Sequence, residues 1–581
     1  MALFTPSESP AVVVKEVDLT SGVPNVQTST GAIVGNFRWG PAGEVKSISN
    51  EAALVDTFAS PDSSNTLDFH SAAYFLRYSN SLNVVREVTS AAKNAHHHRT
   101  GVDPDPKQIK NIAAFDGVSF DSNQTFVAAF PGQLGNSLQV SLCPATLNDS
   151  AFDDWVYKSN FDGAPGTSAY DSARDGRLTE VHAVVVDRQG EFSGTKLTVL
   201  ETYPYMSLAG NSKNADGTSN YIKDVINARS NYVQLVGFDS FFAGAGAGSY
   251  LTSGTSKTYN TGTAGDLAVN DYNLSEGANS SALGTAEIAT GHDLFEDKDT
   301  VEVDFLIAPG MASQADQTTV VNDLIANATA RKDCVVVASP DRAAVVGVND
   351  AATINAAVKT TADTFTNSSY LFADNNYLKV YDKYNDQYIH IPAASSTAGL
   401  MAETDRVAAP WFSPAGQRRG QYLGVTSLAY NPNKTQRDTL YKASVNPIMS
   451  MPGGGITLFG DKTGLNRPSA FDRINVRRLF LVLERAIARA AQNVMFEFND
   501  EFTRAEFVNV IEPVLRDVKG RRGITDFRIV ADETVNTAAV IDRNEFIANI
   551  FIKPARSINY VTLNFVAVRT GVDFEEVVGT V

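Results

Sequence analysis

The chain has 581 residues, and 65 Asp and Glu against 48 Lys and Arg leave a net charge of -17, which sets its surface as a whole against nucleic-acid phosphate. With 43% hydrophobic and only 19% charged residues the chain has ample material for packed cores, so global disorder is excluded, and its length points to about three to four domains. No stretch reaches the ~20 apolar residues of a membrane span, residues 1–10 lack the basic head and apolar core of a secretory leader, and two cysteines, Cys143 and Cys334, allow one bridge at most.

Charge is unevenly spread: residues 471–581 are nearly neutral and Arg-rich, and residues 1–470 carry almost all of the negative charge. Residues 1–20 read as an arm. Pro6 and Pro10 oppose helix, and Val12, Val13, Val14 and Val17 then form a β-prone run too short to bury itself. From Gly31 an α/β pattern begins, with a strand at Ala32–Gly35 and a turn at Trp39–Gly43. Asn50 caps a helix over 51–58, and Phe69, Ala72, Ala73 and Leu76 make a helical stripe; a strand returns at 82–88. Residues 90–295 mix short strands (126–130, 138–142, 181–186, 196–200) with Gly-, Ser-, Thr- and Asn-rich stretches. The segment 241–290 reads as a long loop or loosely ordered lobe on a surface insertion.

An alternating strand at 301–307, a stripe of Val320, Val321, Leu324, Ile325 and Ala328, and the apolar strand 334–338 together predict a βαβ unit with a parallel pair. The clearest helix covers 471–495. Val476, Leu479, Phe480, Leu483, Ile487, Ala490 and Val494 occupy one face, and Arg478, Arg485 and Arg489 another. That basic stripe is either a solvated face or a protein interface, where planar guanidinium groups pair with carboxylates. Two strands follow, 545–553 and 559–568; in the second Val561, Leu563, Phe565 and Ala567 alternate with polar neighbours. Residues 571–581, with Phe574, Val577 and Val578, form a second arm. Both arms are expected to add strands to a sheet edge in this subunit or another.

No constellation for catalysis, metal or cofactor stands out. His96-His97-His98 has no further ligand at suitable spacing and reads as a solvated loop. Gly244–Gly248 lacks the spacing of a phosphate loop, and Gly460-Asp-Lys-Thr463 lacks the glycine that would make it a P-loop; both read as turns or loops. Cys334 is a buried structural thiol on this reading, and Glu497, Asp500 and Glu501 are solvated or paired surface acids.

Several stretches nevertheless carry a resemblance: Gly31-Ala-Ile-Val-Gly-Asn-Phe-Arg-Trp-Gly-Pro41, Pro131-Gly-Gln-Leu-Gly135, Tyr381–Asp386, Trp411–Gly416, Phe471–Phe480, Val540–Phe546 and Pro554–Phe565. Over most of its length the sequence resembles the tail sheath subunits of contractile-tailed bacteriophages, nearest to the T-even-like kind. The resemblance implies a multidomain α+β and α/β tail-sheath fold. Its parts would be an N-terminal arm (1–20), a core domain in two pieces (21–90 and 296–440), a β-rich surface insertion (91–295), an inner C-terminal domain of β-sheet plus helices (441–570) and a C-terminal arm (571–581).

It further implies a structural, non-enzymatic protein without cofactor. Such subunits form hexameric rings stacked around an inner tail tube protein in a helical lattice that contracts on a signal from the baseplate. Further partners would be the tail terminator and neighbouring copies, with no nucleic acid bound directly and no membrane insertion. The location would be the virion, after assembly in the host cytoplasm. Subunit-interface candidates are Val12, Val13, Val14, Val17, Arg478, Arg485, Arg489, Val561, Leu563, Phe565, Phe574, Val577 and Val578. The sheath of a bacterial contractile injection system is the competitor within the class, and a nucleotide-driven motor or hydrolase the competitor outside it.

Overall fold

Strands that are apolar at every position need cover on both faces, and the larger of the chain's two compact units is built on that requirement. The structure, a computed structural model, describes residues 29–98, 106–120, 124–146, 150–237, 246–260 and 269–559. Both arms, together with Val561, Leu563 and Phe565, lie outside the described residues. Of the described residues, one unit comprises 29–410 and 414–485, the other 411–413 and 486–559. Residues 441–485, expected with the C-terminal domain, fall in the larger unit.

The larger unit holds a seven-stranded sheet in the order Val445–Asn446, Leu371–Asp374, Val335–Ala338, Phe305–Ile307, Gly31–Gly35, Leu82–Arg86, Val45–Ile48. All neighbours are parallel except the last pair. Side chains alternate between two cores: Ile33, Val84, Phe305, Ile307, Val335 and Val337 point to one, and Ala32, Val34, Val85, Leu306, Val336 and Ala338 to the other. The first core receives helices Thr66–Phe75 and Ala394–Val407, and the second receives Gln314–Arg331. The stripe Val320, Val321, Leu324, Ile325, Ala328 is buried as its spacing requires, and the strands on either side of that helix pair in parallel. Asn50 caps helix Glu51–Phe58 by accepting from the Ala53 amide at 2.9 Å.

The expectation for 241–290 is corrected. Asn270–Asn273 is a strand that pairs antiparallel with Leu138–Pro144, itself followed in the same sheet by Glu180–Asp187 and Thr198–Ser207. Leu251, Tyr259, Tyr272 and Leu274 are buried in a core shared with Phe126, Val140 and Val185. Their low apolar density concealed this, because a single aromatic per turn of chain is enough when long-range strand pairing supplies the rest. Helix Thr285–Asp293, expected within the insertion, packs instead on strands Gly31–Gly35 and Leu82–Arg86 of the sheet. The chain leaves and rejoins the sheet region at one place: the Thr89 amide donates to Ser280 Oγ at 2.9 Å, and the hydroxyls of Thr89 and Ser281 lie 2.9 Å apart.

In the smaller unit, helix Glu501–Gly520 buries Arg504, Phe507, Ile511, Leu515 and Val518 along one stripe. Asp500 caps it, accepting from the Thr503 amide at 2.8 Å. Strand Ile524–Val530 pairs antiparallel with Asn549–Pro554. The strand expected at 545–553 therefore starts later, at Asn549, and its partner and the long helix are elements the sequence reading missed. The Trp411 indole N–H donates to the Arg521 carbonyl at 3.1 Å within the same unit.

Candidate functional site

The residues most closely tied to function in the sequence reading lie on helix Ile474–Gln492, and the structure gives its arginines specific anchors. Seven residues separate Arg478 from Arg485, two helical turns, so both project from one side. Arg478 Nη2 donates to Asp405 at 2.5 Å and Nη1 to the Met401 carbonyl at 3.1 Å, with the guanidinium 4.9 Å from the Phe305 ring centroid. Arg485 Nη1 donates to Asp304 at 2.7 Å, and Nη2 to the carbonyls of Asp333 at 2.7 Å and Val303 at 3.3 Å. Asp304 also accepts from the Thr30 amide at 2.9 Å, so one carboxylate joins the helix to two sheet strands. Arg477 is held differently, between the rings of Phe471 and Tyr370, with Nη2 donating to Ser369 at 2.6 Å.

Burial raises the Asp304 carboxyl above its ordinary value, and the Arg485 charge beside it opposes that rise. Burial works most strongly against the Arg485 charge, but Asp304, Asp333 and Glu302 together outweigh it and hold the guanidinium above its usual range. Arg478 and Asp405 are buried together, at 5% and 6% side-chain exposure. These findings correct the expectation of an arginine stripe on a surface, whether solvated or at an interface: Arg478 and Arg485 are engaged within one chain. The sequence carried no signal for this, because their acids lie 73 and 181 residues away. Arg489 is half-buried and belongs to the smaller unit.

A second anchor escaped the sequence reading. Arg86, at the end of strand Leu82–Arg86, is 1% exposed and donates to three carbonyls: Phe37 at 2.8 Å, Gly40 at 2.5 Å and Pro131 at 2.6 Å. Burial pushes its guanidinium down to about 9, against the pull of Glu87. Two of the motifs singled out above, 31–41 and 131–135, thus meet on one side chain. Gly132 sits at φ +145°, where a Cβ would come within 2.9 Å of the Arg38 carbonyl. The short signal Gly-Pro plus Pro-Gly-x-x-Gly marked both turns, but nothing in it named the arginine they share.

The histidine run is corrected too. His96–His98 is a strand paired with Gln124–Ala128, His96 is buried, and the Nε2 atoms of His96 and His98 lie 3.5 and 3.6 Å from Glu276. Among the described residues no group of three or more His, Cys, Asp or Glu is arranged to hold a metal ion. Cys143 and Cys334 are free, buried thiols, and burial pushes Cys143 up to about 12. Asp461 of the Gly460–Thr463 turn accepts from Arg473 at 2.9 Å, which makes that turn a structural brace. Asp500 is a helix cap, as noted. The described site is therefore a set of charge-assisted fastenings around a packed α/β core.

Models of two domains match the chain: the phage tail sheath protein central domain over residues 282–464 and the phage tail sheath C-terminal domain over residues 466–567. The tail sheath protein of Enterobacteria phage T4 is 33% identical over 663 aligned positions, which take in 98% of this chain and 99% of the relative. That of Vibrio phage KVP40 is 31% identical, over 98% of this chain and 99% of the relative. Among solved structures, a sheath tail protein from Listeria innocua shares the fold with a TM-score of 0.55 at 11% identity, covering 93% of this chain and 94% of that one.

Proposed function

The chain belongs to the phage tail sheath protein family, and from that premise we propose that it polymerises around a tail tube as stacked hexameric rings whose collective rearrangement drives the tube through the host envelope. It is a structural component of a contractile phage tail. The observation that carries this is similarity to phage tail sheath proteins from end to end, at 33% identity over 98% of the chain. The lattice would be assembled in the host cytoplasm, with the tube protein, baseplate and tail terminator as partners and without a cofactor or catalytic step.

The physical demands on such a subunit are two. It must stay rigid while its contacts change, and the two lattices must differ in free energy by an amount summed over many copies. The buried fastenings of Arg86, Arg478 and Arg485 support the first demand. The arm residues Val12, Val13, Val14, Val17, Phe574, Val577 and Val578, with Arg489, Val561, Leu563 and Phe565, are assigned to the second as contacts between copies. Arg478 and Arg485 are assigned to internal rigidity instead. The test is to purify the full chain and image it by electron microscopy without nucleotide. Tubular polymers are expected; monomers alone at high concentration, with and without tube protein, would overturn the reading.

A further inference from the structure

Four large apolar side chains of the smaller unit stand in water. Met495, Phe496, Phe498 and Phe502 fall within eight residues and are 58%, 102%, 84% and 77% exposed. Leaving them there forfeits the stabilisation that burial would give each, and a patch of this kind marks a contact surface. Phe496 is moreover held at φ +70°, a costly backbone for an aromatic residue. Acids stand among the rings: Glu497, Asp500, Glu501 and Glu506 are exposed, and the base within the stretch, Arg504, is buried.

The same unit carries a surface of the opposite sign. Residues directly opposite each other in the antiparallel pair Ile524–Val530 and Asn549–Pro554 share a face. Phe527, Ile529, Ile550 and Ile552 make one face and are half-buried. The other face sets Arg528 opposite Phe551 and Lys553 opposite Asp526, all four exposed, and exposed Arg556 follows the second strand. Asp526 lies 3.2 Å from Lys519, and Asp532, the other acid near Arg528, accepts from the amide and hydroxyl of Thr534. Among the described residues no carboxylate comes within ion-pair distance of Arg528, Lys553 or Arg556, and no base within that distance of Glu497, Glu501 or Glu506.

Each surface lacks what the other supplies, and guanidinium groups are partners that aromatic faces favour. Both are exposed in the single chain, so neither covers the other within it. The terminal segments do not suit the ridge, because both are acidic: residues 1–20 carry Glu8, Glu16 and Asp18 against Lys15, and residues 571–581 carry Asp573, Glu575 and Glu576 without a base.

We propose that the Met495–Phe502 ridge of one copy docks on the Arg528–Phe551 face of the next. In this contact the rings lie against Phe551 and the Arg528 guanidinium, and the acids pair with Lys553 and Arg556. Because the two surfaces differ, the contact is head-to-tail, and repeated head-to-tail contacts build rings or helical filaments. This inference rests on the reading of the chain as a polymerising subunit and adds one interface to it.

The experiment uses full-length chains. One variant carries Glu497→Arg and Glu506→Arg, the other Arg528→Glu and Arg556→Glu. Light scattering and electron microscopy follow assembly, and circular dichroism checks that each variant is folded. Wild type is expected to polymerise. Each variant alone is expected to need about tenfold more protein to do so, and an equimolar mixture is expected to recover, because opposite charges then meet at every contact. A third variant, Phe496→Ser with Phe498→Ser, is expected to stay folded and lose assembly.

Wild type that forms no polymer overturns the reading of function and this contact with it. Wild type that polymerises while all three variants do likewise overturns only the present proposal. Loss confined to assembly on tube protein would assign the ridge to the tube and overturn it as well. Failure of the Arg528 and Arg556 variant beside normal assembly of the ridge variants would also overturn it, and would give the basic face to another acidic segment such as residues 571–581. Charge-reversed variants that fail alone and are not recovered on mixing would show that the two surfaces do not meet.

Discussion

Arg478 and Asp405 show what a buried charge pair does in this subunit. Removing one member leaves the other charged, desolvated and unpaired, and that costs about 3–5 kcal/mol. Arg478→Ala should therefore lower the chemical unfolding midpoint sharply, whereas Arg478→Met combined with Asp405→Leu should recover most of the loss. A double variant as unstable as the single would show that the helix depends on the charges themselves. Asp374 makes the complementary case. Its buried carboxyl accepts from Ser339 Oγ at 3.0 Å and the Asn376 amide at 3.2 Å, yet burial pushes it up to about 7 from 3.8. A carboxyl with a raised folded-state value favours folding at low pH, and that advantage is lost as pH rises from about 4 through 7. The loss amounts to at most roughly 4 kcal/mol. Asp374→Asn should thus gain stability relative to wild type between pH 5 and pH 8, read from urea unfolding at both; an unchanged difference would mean the carboxyl stays ionised throughout.

At the scale of elements, what the sequence displayed depended on how local the cause was. The Asn50 cap acts over three residues and the Gln314–Arg331 stripe over nine, and both were legible as spacing. Tyr272 was not. Its ring lies 5.2 Å from Phe126 and 4.8 Å from His97, neighbours that reach it only once Tyr272 has paired with Val140, a strand partner far earlier in the chain. The same holds for Arg86 and Arg485, whose acceptors are backbone carbonyls and distant acids that leave no trace in local composition. Tyr272→Ala should cost about 3 kcal/mol or more and lower the thermal midpoint of the lobe. Deletion of 244–283, which the glycine-rich texture makes look harmless, should unfold it. Near-wild-type melting of the deletion variant would restore the loop reading.

For the whole molecule, the arms are where folding and assembly should part. If they add strands to neighbouring copies, removing residues 1–20 or 571–581 leaves a monomer with unchanged circular dichroism and melting that forms no contractible lattice. An arm-less chain that still builds and contracts sheaths would refute strand exchange as the linkage. One that unfolds would place the arms in the subunit's own core.

The hydroxyl cluster of Thr89, Ser280 and Ser281 has a consequence for modularity. Because the chain departs and returns at neighbouring points, everything between them can be replaced by a short bridge at little loop-closure cost. The sheet and its helices then become a chassis, and the lobe a cartridge that natural variation or an engineer can exchange. One correction travels with any such swap. Without Pro131 the Arg86 guanidinium loses one of its three carbonyls, so a viable chimera has to supply that acceptor or replace the arginine with an apolar side chain.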